Sequence, residues 1–184
     1  MKKLLLIMGD LATGKSTFAN ILSKRYDTNV FLKDSIKEVL GDTIGFSNRE
    51  ENKKLSNATI ELMWFIFSEF GKLNKNLILE ANFHTEELER LHKKAIENNY
   101  EVLTIILRGD VEILHKRYLN RMQNEARHLV HLSTTLDIFE DFEAYTKSLA
   151  TEKIPGNTMF INANDFSYQT DKETLAKVDE FMEV

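Results

Sequence analysis

The stretch Lys3-Leu4-Leu5-Leu6-Ile7-Met8-Gly9-Asp10-Leu11-Ala12-Thr13-Gly14-Lys15-Ser16-Thr17 decides the fold. An apolar run enters it, and an amphipathic segment, Lys15–Tyr26, leaves it. Between them, Gly9 to Ser16 fits G-x-x-x-x-G-K-[ST] in full. Gly9 and Gly14 permit backbone angles that a side chain resists. The turn between them then aims the N–H groups of Asp10, Leu11, Ala12 and Thr13 inward as an anion nest. The helix that follows adds its positive N-terminal end. In such a cradle Lys15 reaches the β- and γ-phosphates of a nucleoside triphosphate, and Ser16 holds Mg²⁺. Thr17 extends the motif towards the α-phosphate. The bland alternative, a chance glycine turn with an exposed lysine, does not account for the strand before it and the helix after it. Asp10 would repel a triphosphate if it faced inward, so the expectation is that it faces outward.

Working away from this loop, short apolar runs alternate with longer helical patterns. The predicted strands are Lys3–Met8, Asn29–Leu32, Asn76–Glu80, Glu101–Leu107 and Thr158–Asn162. They are rich in Leu, Ile and Val, as strands buried on both faces should be. The predicted helices are Lys15–Tyr26, Ser35–Leu40, Asn48–Leu73 (one helix or two), Thr85–Asn98 with Thr85 as cap, Asp110–Met122, Leu132–Leu149 and Asp171–Met182. This alternation predicts an α/β fold, a parallel sheet with helices on both faces. Right-handed crossovers place the strand C-terminal ends along one edge, where ligands bind. The cluster Leu62, Met63, Trp64, Phe65, Ile66, Phe67 and Phe70 reads as core, with one edge available to line an acceptor pocket. Phe139, Phe142 and Tyr145 read as a stripe packed on the sheet.

The bulk numbers limit the function classes. The chain has 184 residues, which predicts a single domain over 1–184. The net charge is −5, which disfavours nucleic acid as a partner. There is no cysteine, so disulfides and thiolate metal sites are excluded. The longest apolar run, Leu4–Met8, is too short to span a bilayer. No cleavable leader pattern follows Lys2 and Lys3. The expectation is a cytoplasmic protein, monomeric or homodimeric.

With the loop and the alternation in place, the chain resembles the small P-loop kinases of the adenylate kinase and gluconate kinase type. Within them it looks closest to the group that includes chloramphenicol phosphotransferase, zeta-toxin kinases and the kinase domain of polynucleotide kinase. The resemblance covers nearly the whole chain. It implies a three-layer fold, a five-stranded parallel sheet in the order 2-3-1-4-5, and a helical lid, here about 122–132. Many of these kinases have glycine where Ala12 stands. The resemblance also implies ATP and Mg²⁺ as cofactors and a small-molecule phosphate acceptor.

Three further stretches match by position. Asp34, directly after the second strand, is the candidate base that accepts the acceptor's hydroxyl proton. Its alternative is a cap for the helix that follows. Lys37, one turn on, is a candidate contact to an anionic substrate. Glu80 ends the third strand as a loose Walker B acid, holding a magnesium-bound water or substrate hydroxyls. Asn82 and Phe83 are expected at the pocket mouth as substrate contacts, and His84 on the surface or as a cap. Arg121 and Arg127 flank the expected lid, and such arginines clamp the transferring phosphoryl group with a planar fork of donors. Arg117 shares a helix face with Arg121 and is a weaker candidate. His128 and His131 lack a third partner for a zinc site. The loop Ile161–Asp165 is expected near the adenine ring.

These readings favour a kinase acting on a hydroxyl, because Lys33, Lys37 and Arg49 are a thin set for binding an acceptor phosphate. The alternatives are a nucleotide-dependent regulatory ATPase and a toxin-type or nucleic-acid-end kinase. A GTPase would carry Asn-Lys-x-Asp, which is missing from the appropriate place.

Overall fold

The computed structural model describes residues 1–132, 136–148 and 154–183. The sheet has five parallel strands in the order β2-β3-β1-β4-β5. They are β1 (Lys2–Gly9), β2 (Val30–Leu32), β3 (Leu77–Glu80), β4 (Tyr100–Arg108) and β5 (Asn157–Asn162). Among the described residues, seven α-helices connect and cover them: α1 (Lys15–Tyr26), α2 (Lys33–Ile44), α3 (Arg49–Lys72), α4 (Thr85–Glu97), α5 (Val111–Asn124), α6 (Phe139–Ser148) and α7 (Lys172–Met182).

The first apolar run becomes the middle of the molecule. β1 pairs with β3 from Leu4↔Leu77 to Ile7↔Glu80, and with β4 from Lys2↔Tyr100 to Gly9↔Leu107. Its side chains alternate between faces, as a strand requires. Leu4, Leu6 and Met8 enter one core layer with Met63, Trp64 and Phe67 of α3 and Leu88 and Leu91 of α4. Leu5 and Ile7 enter the other with Phe18 and Leu22 of α1 and Val178 and Phe181 of α7. All five β1 side chains are essentially inaccessible to water, and burying a leucine or isoleucine contributes about 1.5–3 kcal/mol.

Several boundaries depart from the sequence reading. α3 is one unbroken helix, capped by the Asn48 side chain accepting from the Glu51 N–H. It lacks an internal proline or glycine to break it before Gly71. Met63, Trp64 and Phe67 of its apolar cluster are buried, whereas Phe65 is 62% exposed. α4 is capped by His84 rather than Thr85, with the Glu87 carboxylate accepting from the His84 N–H at 2.8 Å. α6 starts at Phe139, later than expected, and residues 133–135 and 149 of the predicted helix lie outside the described residues. Its aromatic face meets α5 rather than the sheet: Phe142 packs against His115 and Tyr118. β5 is an edge strand, with only Ile161 buried.

Candidate active site

The three turns that follow β1, β3 and β4 come together at one sheet edge, because parallel pairing puts all strand C-termini on the same side. The loop Gly9–Gly14 sits at the centre. Gly9 has φ +134°, and a Cβ there would lie 2.0 Å from the Leu107 carbonyl oxygen. Only glycine allows that approach. Gly14 has φ +86° and caps α1. Ala12 also has positive φ, at +58°, which costs an alanine roughly 1–2 kcal/mol. Such strain persists where the surroundings over-determine it. The Thr13 hydroxyl donates to the Asp10 carbonyl, and the Thr13 carbonyl accepts from Tyr168 Oη at 2.7 Å. Tyr168 is 3% exposed and packs edge-on against Phe18. It buttresses the loop from the far end of the chain, and sequence reasoning missed it.

Asp10 faces away from the cavity, but it is buried under the end of β4 rather than turned to solvent. One carboxylate oxygen accepts from the Gly109 N–H at 3.3 Å. The other has no hydrogen bond among the described residues and lies 3.9 Å from Arg108. Burial raises its pKa, against the opposing pull of Arg108.

Within the loop Lys15 folds back, its ammonium donating to the carbonyls of Gly9 (3.0 Å) and Asp10 (2.6 Å). Burial lowers its pKa, opposed by Glu80, Asp34 and Asp10. Ser16 Oγ donates to Glu80 at 3.1 Å. Glu80 is 5% exposed, and burial raises its pKa, with Lys15 working in the opposite direction. A hydroxyl beside a carboxylate is an oxygen donor pair that suits a hard cation such as Mg²⁺, which keeps several waters and takes few protein ligands. No group of three or more His, Cys, Asp or Glu able to hold a metal is found among the described residues.

A cavity of about 510 Å³ opens above this loop, within the range of small-molecule sites. Residues from Leu11 to Thr17 form its floor, with Asp34 and Glu80 on one side. Tyr118, Arg121, Met122, Glu125 and Arg127 form the other wall, and Phe166 and Gln169 close the end. Asp34 lies in the first turn of α2, but Leu32 occupies the cap position, so the capping alternative for Asp34 does not hold. The carboxylate is exposed, and no hydrogen bond or ion pair of its own is found among the described residues. The same is true of partly buried Arg127. Among the described residues, Arg121 is held only by Glu125, four residues on, at 3.2 Å.

Other candidates are placed elsewhere. Lys37 donates to the Val130 carbonyl at 3.3 Å and does not line the cavity. Asn82 accepts from the Gly9 N–H at 3.2 Å, so it braces the loop from behind. Phe83 is 3% exposed and points into the core beside Ile60, Trp64 and Leu91. The turn after β3 sends it inward, away from the pocket mouth. Arg117 donates to the Ala163 and Asn164 carbonyls and lies over the Phe166 ring at 4.4 Å. It fixes the turn after β5 and is spent on that contact. His128 and His131 pair with Asp42 and Glu38 of α2. No helix among the described residues is long and apolar enough to cross a membrane.

No family model matches the sequence, and no curated protein matches it significantly. Solved structures do match in shape. A candidate kinase from Chloroflexus aurantiacus superposes with a TM-score of 0.82 at 22% identity, covering 97% of each chain. The APS kinase of Mycobacterium tuberculosis, solved with AMPPNP and APS, matches at 0.64 and 12% identity, over 100% of this chain and 98% of its own. A gluconokinase from Sinorhizobium meliloti matches at 0.60 and 12% identity, over 98% and 94%. The chain therefore has the fold of the small P-loop kinases.

Proposed function

We propose that the protein is a kinase that transfers the γ-phosphate of ATP to a hydroxyl of a small molecule. The observation that carries this reading is the pair of unpartnered charges, Asp34 and Arg127, on opposite walls of the cavity that holds Lys15 and the Ser16–Glu80 pair. A charged group kept without a partner at a cavity wall is available to a ligand.

The loop N–H groups and the α1 N-terminus bind the polyphosphate. Lys15 exchanges the Gly9 and Asp10 carbonyls for the β- and γ-phosphate oxygens. Ser16 and Glu80 would be the oxygen donors for a magnesium ion. When bound, Mg²⁺ would supply positive charge that offsets the negative charge of the transferring phosphoryl group. Asp34 orients the acceptor hydroxyl and takes its proton as the oxygen forms a bond to the γ-phosphorus and the bond to ADP breaks. Arg121 leaves Glu125 and, with Arg127, donates to the equatorial oxygens as charge spreads over them. The segment 122–132, which carries Arg127 and directly follows Arg121, serves as a lid.

The test is ATP consumption with Mg²⁺ across nucleosides, nucleotides, sugars and aminoglycoside- or phenicol-type antibiotics. Stimulation of ADP release by one compound supports the kinase and names its acceptor class. Slow hydrolysis that no compound stimulates makes water the acceptor and the protein a regulatory ATPase.

A further inference from the structure

Gly41 is out of place on propensity alone. A glycine inside a helix costs about 1 kcal/mol relative to alanine, and Gly41 sits within α2 with no positive φ to justify it. Its reason lies across the molecule. A Cβ at position 41 would lie 2.4 Å from Val130 Cγ1 and 3.4 Å from His128 Cε1. Val130 belongs to the 3-10 turn Leu129–His131 in the segment after α5, and it is 1% exposed. Gly41 is therefore the hole into which this side chain fits.

The seat is polar as well as apolar. The Val130 carbonyl accepts from Asn52 Nδ2 at 2.9 Å, and Asn52, on α3, is 2% exposed. The Val130 N–H donates to His128 Nδ1, which leaves the proton on Nε2 to be donated to Asp42 at 2.9 Å. His131 bonds Glu38 at 2.8 Å. A three-residue turn is thus gripped by both α2 and α3. Arg127 stands two residues before it, next to the capping His128, and lines the cavity.

We infer that Gly41 and Asn52 are positioning residues for Arg127: by seating Val130 they join the segment that carries Arg127 to the helix that carries Asp34, so that Arg127 and Asp34 move as one body. The effect on turnover rests on the kinase reading, but the seating of Val130 does not. A compound that settles against Asp34 then also sets Arg127.

The test is a size-swap cycle in the full chain. Gly41→Ala should lower turnover at saturating ATP by on the order of 10- to 100-fold while ATP affinity stays within about twofold, since a misplacement of about 1 Å is enough to cost that much. Hydrogen exchange at the Val130 amide should rise in the same variant. Adding Val130→Ala removes the clashing methyl and should recover most of both losses. Asn52→Leu, which keeps the volume and deletes the donor, should move both readouts in the same direction; it decides the matter if Gly41→Ala does not fold. Unchanged exchange in Gly41→Ala, or in Asn52→Leu if that variant alone folds, overturns the inference. So do losses from the two single variants that multiply rather than compensate. If the wild type transfers phosphate to no acceptor, the kinase reading fails, and exchange and its rescue still decide on the socket.

Discussion

On the β1 side of the cavity, the polar side chains of Thr13, Lys15 and Ser16 already have partners within the protein. On the α2 and α5 side, Asp34 and Arg127 have none among the described residues, and Arg121 has only an exposed helical neighbour. Exposed i,i+4 ion pairs of that kind contribute about 0.3–0.5 kcal/mol. The first side is built in advance, from backbone groups that cannot move far. The second holds its charges ready for something that arrives. On the proposed kinase reading, the half that would bind polyphosphate can be the same for many reactions, and the half with unpartnered charges is where an acceptor would be chosen.

That contrast can be broken at its strongest point first. Lys15→Ala should lower turnover by about 10³-fold, since it removes a preorganised cation from the transferring phosphoryl group; full activity would mean that the loop does not bind triphosphate. Asp34→Asn should come next, with a loss of roughly 10²- to 10⁴-fold in turnover and ATP affinity within about twofold. Calorimetry showing an equal loss of affinity would move Asp34 to the nucleotide side. Arg127→Ala should cost about 10- to 100-fold in turnover with little change in ATP binding. If binding is lost and turnover per bound complex is kept, the arginine belongs to the ground state.

The smallest effect concerns stability. Asp10 has a raised folded pKa, so the native state holds its proton more tightly than the unfolded chain. Stability from this group is fully present below about pH 4 and is lost as pH rises through the displaced value. Asp10→Asn should therefore gain on the wild type as pH rises from 4 to 8. Denaturant melts that run parallel from pH 4 to 8 would show that Asp10 is not held against its charge.

The phosphate loop was legible because all its parts are contiguous and its chemistry is local. Glu80 was legible as the acid that ends a buried strand. Asp34 could be read from its place after β2, but its capping alternative fell only when the helix was seen to begin at Lys33. Phe83 was misplaced because a turn residue beside a site and one tucked under it look alike in sequence. Tyr168 and Gly41 were invisible for another reason: the partner of Tyr168 is 155 residues away, and the partner of Gly41 lies on another element that no periodicity connects to it. Such contacts are tertiary, and single-sequence patterns report only local periods.

The position of β1 in the sheet has a consequence for synthesis. Its five buried side chains leave the ribosome ahead of both strands that will flank them, β3 from Leu77 and β4 from Tyr100. At about 5–20 residues per second, this apolar run waits on the order of ten seconds for its neighbours. During that interval Leu4–Met8 is an unpaired hydrophobic strand, the kind of segment that nascent-chain chaperones cover and that aggregates when they do not.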